Sequence, residues 1–322
     1  MLFEVDSFKN RHYMRRIYLV LFIVSFYSLG YGQQDPHYTQ YMYNMSVMNP
    51  AYAGSKESLS MGLLHRRQWV DIEGAPTTST FFGHSPVGKN VGMGLSVIND
   101  KLGPIEENNI YGDFSYTLQL GGDHRLALGL KAGLTLHHVG LFSEIGDPSL
   151  NALPDLGDEA FSQNTSNSYF NFGSGLFYYT NKYYLAFSVP NIVKGVHLDV
   201  NGRSYGSEVS HYFLTGGYVF DLNESVKFKP FFMLKSAFSA PTSLDLSTNF
   251  LFKDKFEIGA TYRLDDSFGA MVNYAITPSL KLGYAYDHIV SDLKVTTPAS
   301  HEIILLFDVN FSKKVSRSPR YF

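Results

Sequence analysis

Beyond residue 56 the chain alternates apolar and polar side chains with a period of two, as strands with two unlike faces do. Over residues 125–137, Leu126, Leu128, Leu130, Leu134 and Leu136 share one face with Ala132. Arg125, Gly129, Lys131, Gly133, Thr135 and His137 hold the other, with Ala127 its only ordinary apolar member. The segment before it sets Ile110, Phe114, Tyr116, Leu118 and Leu120 against Asp113, Ser115, Thr117 and Gln119. Phe256, Ile258, Ala260 and Tyr262 oppose Glu257, Thr261 and Arg263, and Leu280, Leu282, Tyr284 and Tyr286 oppose Lys281, Gly283 and Asp287. Fourteen strands are predicted, at 57–70, 75–85, 90–99, 108–120, 123–137, 167–179, 182–190, 207–220, 225–236, 241–253, 255–264, 267–276, 279–288 and 300–311.

The distribution of charge gives the alternation its sign. In a soluble barrel the apolar face must fill a core of limited volume. Here that face is large and aromatic, while Asp113, Arg125, Lys131, Glu257, Arg263, Lys281 and Asp287 gather on the other. This fits an all-β transmembrane antiparallel barrel with a polar lumen and a lipid-facing exterior. No run of eighteen apolar residues follows the leader, which excludes helical spans. The even-numbered links are tight ("PVGKN", "GG", "TN", "DLNE", "K", "TP"), whereas the odd-numbered ones include the long links 138–166, 191–206 and 289–299. Outer-membrane barrels have short periplasmic turns and long external loops, so the long links are predicted to face outward. The last strand, "HEIILLFDVNF", alternates Ile303, Leu305, Phe307, Val309 and Phe311 and resembles the C-terminal signal read by the barrel-assembly machinery.

Composition agrees. Aromatic residues make up 16% of the chain, with 28 glycines and one tryptophan, as the aromatic girdles of a membrane barrel require. At the N-terminus, Arg15 and Arg16 precede Ile17 to Leu29, thirteen residues without a charge, and then Gly30, Tyr31 and Gly32. A basic region, a short apolar core and small residues at minus three and minus one predict a signal peptide over 1–32, cut after Gly32. The core is shorter than the ~20 residues of a spanning helix. Met14 is a second candidate start. The chain has no cysteine, which excludes disulfides and thiolate chemistry. Removing residues 1–32 leaves 22 basic against 27 acidic side chains, a net charge of −5 with no nucleic-acid signature. Residues 312–322 carry Lys313, Lys314, Arg317 and Arg320 and are expected to form a basic periplasmic tail.

No enzyme constellation emerges, and no catalytic residue, cofactor or metal ligand is assigned. His137 and His138 fall on opposite faces of a strand and cannot share an ion. Asp147, Asp155, Asp158 and Glu159 crowd the 138–166 link, but their spacing matches no calcium loop. "GSGLF" at 173–177 lacks the last glycine of a nucleophile elbow and lies mid-strand. Glycine on the polar face more simply leaves space in the barrel wall.

One stretch fits neither strand nor helix for long: "QDPHYTQYMYNMSVMNPAYAGS", residues 33–54, with four tyrosines, three methionines and Asp35 as its only charge. It closely resembles the N-terminal signature of the PorP/SprF family of outer-membrane proteins. The resemblance continues in "HRRQWVDIEGAPTTST" (65–80), "NDKLGP" (99–104), "GDEAFS" (157–162), "GYAYDH" (283–288), "SHEIILLF" (300–307) and "SPRYF" (318–322), and so spans nearly the whole chain. Asp71 stands where the family often has glycine. The resemblance implies a FadL-like barrel in the outer membrane, associated with type IX secretion and, in several members, gliding motility. Family members are thought to hold a secreted adhesin at the cell surface through that adhesin's C-terminal region.

Residues 33–56, ahead of the first strand, are expected to form a plug or hatch. Tyr38, Tyr41 and Tyr43 can bury their rings while their hydroxyls bond to a polar lumen wall. Asn44 and Asn49 can satisfy local backbone groups, and Asn49-Pro50 reads as a turn. Asp35 and Pro36 belong to the same motif. In the second motif, Arg66 and Gln68 are expected to face the lumen and Trp69 to anchor at the interface. The barrel proper is placed at 57–311. The leading functional reading is a non-enzymatic barrel that docks a type IX-secreted protein, alongside other secretion components and outer-membrane lipid. The alternatives are a passive transporter of small or hydrophobic solutes and a structural part of the secretion machine. Partner contacts are expected in the two longest external links, which contain Leu141, Phe142, Leu150, Leu153, Leu156, Phe161, Ile192 and Val196. Charge on the lipid face, at Leu128 or Leu282, should be costly, and charge at lumen-facing Ala127 mild.

Overall fold

The computed structural model describes residues 37–56, 58–140, 164–193, 196–200, 203–207, 210–237, 240–291 and 299–309. Within them the strands are β1 (Leu59–Arg67), β2 (Thr77–Pro86), β3 (Val91–Leu102), β4 (Ile105–Gly121), β5 (His124–Val139), β6 (Thr165–Tyr179), β7 (Tyr183–Val189), β8 (Val196–Val200), β9 (Arg203–Ser207), β10 (Tyr212–Tyr218), β11 (Phe220–Asn223), β12 (Val226–Ala237), β13 (Ala240–Phe252), β14 (Phe256–Arg263), β15 (Ser267–Thr277), β16 (Leu280–Ile289) and β17 (Ala299–Val309). Each wall strand pairs antiparallel with its neighbours. The sheet closes because β1 pairs with β17 (Leu63 opposite Leu305) and β10 pairs with both β7 and β12. Since β11 only extends the β10 edge along β12 and β8–β9 form a separate hairpin, the wall is a closed barrel of 14 strands.

The faces follow the sequence pattern. Leu128, Leu130 and Leu136 of β5 are exposed on the outer wall, while Arg125, Lys131, Thr135 and His137 are buried inside. His138 points outward to Ser166 at 2.8 Å, so the two adjacent histidines diverge. The inward charges pair with one another. Lys131 meets Asp113 at 2.7 Å, Arg263 meets Asp245 at 2.9 Å, and Lys229 meets Glu257 at 3.2 Å. Buried charges require such partners, since an ion removed from water alone costs several kcal/mol.

The links at the Leu59/Val309 end are short, and the long ones lie at the opposite end. That end is extracellular. Several boundaries differ from the sequence reading there. β4 begins at Ile105 rather than 108 and β5 runs to Val139, which shortens the 138–166 link. This extension lacks apolar alternation and is held by polar groups instead. Asn99 donates to Glu106 at 2.8 Å and to Asn108 at 2.9 Å. The 191–206 link is not a plain loop, because β8 and β9 form a hairpin in it and β10 starts at Tyr212 rather than 207. Ala127 lies inside as expected, but it is fully buried in the apolar cluster rather than facing water.

Candidate functional site

Residues 38–53 are almost entirely buried although they belong to no wall strand. They lie in the lumen as a 3-10 turn (Tyr41–Tyr43), one helical turn (Met45–Met48) and a second 3-10 turn (Pro50–Tyr52). The breaks are local. Asn49 caps the last turn by accepting from the Ala51 amide at 2.9 Å, and Pro50 supplies the fixed φ that suits a first turn position.

The segment climbs the lumen with its N-terminal side toward the extracellular end. There Arg66, next to last in β1, donates to Thr39 Oγ1 at 2.8 Å, Asp287 at 2.7 Å and Glu302 at 3.2 Å. Thr39 Oγ1 donates to Asp287 at 2.6 Å, and the Thr39 and Gln40 amides each donate to Glu302 at 2.9 Å. Both carboxylates thus receive hydrogen bonds from the guanidinium and from the segment, an arrangement that stabilises buried charge. Tyr38 meets Thr80 at 3.2 Å. His37 is half-buried, in the field of Lys235, Arg263, Arg66 and His211.

Lower in the lumen, Tyr43 donates to Glu257, which also receives Asn249 at 2.6 Å and Lys229 at 3.2 Å. The Lys281 ammonium lies 5.0 Å from the centre of the Tyr43 ring. Asn49 donates to the Leu176 carbonyl at 3.0 Å, Ser115 donates to the Ala53 carbonyl at 2.5 Å, and the Gly54 amide donates to His84 at 3.2 Å. Between these polar points Tyr41, Met42, Met45, Met48 and Tyr52 pack with Leu64, Phe82, Phe177, Tyr184 and Phe213 in one apolar cluster. Tyr52 stands edge-on to Phe177 at 5.2 Å.

Wall glycines make this fit feasible. A Cβ at Gly129 would stand 2.0 Å from the Ala51 nitrogen, one at Gly92 would stand 2.0 Å from the Ala53 oxygen, and one at Gly175 would stand 2.0 Å from Asn49 Oδ1. The chain passes where no side chain can be.

Most expected motif residues converge here. Tyr38, Tyr41, Asn44, Asn49, Pro50 and Arg66 are buried in the lumen. Gln68 lies just past the end of β1, half-buried, with its amide donating to the Pro76 carbonyl at 3.0 Å. Trp69 is half-buried in the following turn with φ of 46° and donates its amide to Ser300 at 3.2 Å. Among the expected partner residues, Ile192 is exposed and Val196 opens β8. Asp35, Pro36, Leu141, Phe142, Leu150, Leu153, Leu156 and Phe161 lie outside the described residues, as does the basic tail. Sequence reasoning missed Thr39 and Glu302 as partners of Arg66, and Gln40 as a donor to Glu302. Glu302 carries a signal all the same, as an acidic residue on the face opposite Ile303 and Leu305 in the last strand.

Comparison with known proteins bears on what such a barrel is. The structure resembles the CymD monoaromatic hydrocarbon channel, with a TM-score of 0.52 at 12% identity over 83% of this chain and 92% of that one. It also aligns with the outer membrane protein Omp33 of Acinetobacter baumannii (TM-score 0.44, 12% identity, 79% and 99% covered). A FadL homologue of Pseudomonas aeruginosa aligns with a TM-score of 0.40 at 13% identity, with 79% and 89% covered. At these identities the likeness concerns the fold, that of an outer-membrane barrel. No curated protein matches the chain significantly. A family profile described as "Type IX secretion system membrane protein PorP/SprF" matches residues 30–307, which contain Thr39, Arg66, Asp287 and Glu302 together. The chain belongs to the PorP/SprF family of type IX secretion system membrane proteins and resides in the outer membrane.

Proposed function

We propose that this barrel retains a type IX-secreted adhesin at the cell surface by docking the adhesin's C-terminal domain at its extracellular end. One observation supports the choice over passive transport: residues 38–53 pack the lumen so closely that a Cβ added at wall Gly129 or Gly92 would stand 2.0 Å from their backbone. A conduit for solutes would need that space. In this reading residues 1–32 are a cleaved signal peptide, 33–56 a hatch, 57–311 the barrel and 312–322 a periplasmic tail. With the interior occupied, the external links 138–166, 191–206 and 289–299 supply the surface for a partner, as loops on a rigid scaffold commonly do. The β8–β9 hairpin stiffens the second of them. The chemistry is binding rather than turnover.

Exchanging the 138–166 loop for that of a paralogue tests this. The barrel should still assemble, and its secreted partner should appear in the medium instead of on the cell. A partner that stays on the cell would assign these loops a structural role and overturn the docking reading.

A further inference from the structure

The outer wall has a feature that lumen and loops do not use. Across β17, β1, β2 and β3, in the extracellular half, a groove of about 450 Å³ opens toward the lipid. Its lower part is lined by Leu63, Phe81, Val97 and Leu305, all exposed outward, and exposed Ile303 stands level with His65 above them. Its upper part turns polar at His65, Ser79 and Asn99, with His65 Nδ1 and Ser79 Oγ 2.9 Å apart. The short Ser79 side chain opposite His65 leaves the space. Directly above, the register places exposed Arg67 opposite His301 on one side and Thr77 on the other. Arg67 makes no ion pair among the described residues, whereas Lys101 nearby is bound to Glu106 at 3.1 Å. His301 is held by Tyr284 at 2.6 Å and by the edge of the Tyr286 ring, 5.4 Å away.

An exposed guanidinium without an ion pair among the described residues, flanked by two histidines and set over an apolar groove, matches one kind of molecule. We infer that this face binds a phosphorylated lipid of the outer leaflet, with one acyl chain in the groove and its phosphate on Arg67. Guanidinium offers phosphate a forked pair of donors, and basic sites beside membrane spans select anionic headgroups. The lumen-facing neighbour Arg66 is committed to Asp287 and Glu302, so the tandem arginines serve opposite sides of one wall.

The test uses the purified full-length mature barrel in detergent, with lipid A bearing phosphate and the same lipid stripped of phosphate as probes. Native mass spectrometry reads lipid retention, and heat-modifiable migration confirms that each variant is folded. The wild type should retain the phosphorylated form at least tenfold better. Arg67→Gln should bring the two forms to parity, and Ser79→Phe, which fills the groove, should lower retention of both. Equal retention of the two lipids by the wild type, or discrimination that survives Arg67→Gln, would overturn the site. Because the readout is lipid alone, its failure leaves the docking proposal standing.

Discussion

Replacing Gly129 by valine should force residues 37–56 out of their place in the lumen. The Cβ would stand 2.0 Å from the Ala51 nitrogen and 2.4 Å from the Pro50 carbonyl carbon. Ordinary contacts between heavy atoms lie near ~3.5–4.0 Å, so something must move by about 1.5 Å. The obstacle is backbone, and it cannot rotate away as a flexible side chain would. Overpacking of this kind costs about 1–3 kcal/mol, which shifts the ratio of lodged to displaced segment by roughly 5- to 150-fold. Gly175→Val should add to it, because Asn49 Oδ1 lies 2.0 Å from the Cβ it would bring. Gly112→Val is the control, on the outer face, where the nearest atom is the Ala132 carbonyl oxygen at 3.9 Å. Conductance of the purified barrels in planar bilayers reads the effect. Gly129→Val should open channels absent from wild type and from Gly112→Val. A folded Gly129→Val barrel with wild-type conductance would refute the packing argument.

Arg66→Met removes the common partner of Asp287 and Glu302 and should cost about 3–5 kcal/mol, read as early loss of heat-modifiable migration during a urea titration. Tyr43→Phe removes one hydrogen bond to a carboxylate that keeps Lys229 and Asn249, so the loss should be smaller, about 1.5–3 kcal/mol by the same titration. Leu128→Arg or Leu282→Arg should cost about 2–4 kcal/mol at the lipid face and lower the yield of assembled barrel. Ala127→Arg, judged mild from alternation alone, should be equally damaging, because that site is fully buried in the apolar cluster. An assembled, stable Ala127→Arg barrel would show that the lumen is wetter than its packing implies.

The wall was legible because lipid on one side and charge on the other leave a period-two record at every strand. That record put Leu126 to Leu136 outside and Arg125 to His137 inside, as the burial pattern of β5 has them. It failed where strands leave the membrane. Glu106 and Glu107 extend β4 in water, where both faces are polar, and β8–β9 pair beyond the barrel although Asn201-Gly202 between them is a strong hairpin signal. The lumen site was half legible. Arg66 and Asp287 could be assigned inward from alternation, but the contacts of Arg66 with Asp287 and Glu302 join residues more than two hundred positions apart and depend on closure of β1 against β17. The wall glycines read only as space, and what fills that space could not be inferred from a period of two.

Retention of one secreted partner at the cell surface by this barrel can be followed in cells lacking the barrel, with a reporter fused to the C-terminal domain of that partner. The reporter should shift from the cell surface to the medium, while unrelated type IX cargo is still secreted and retained. A reporter that stays on the surface, or a loss of secretion affecting every cargo alike, would contradict retention by the barrel.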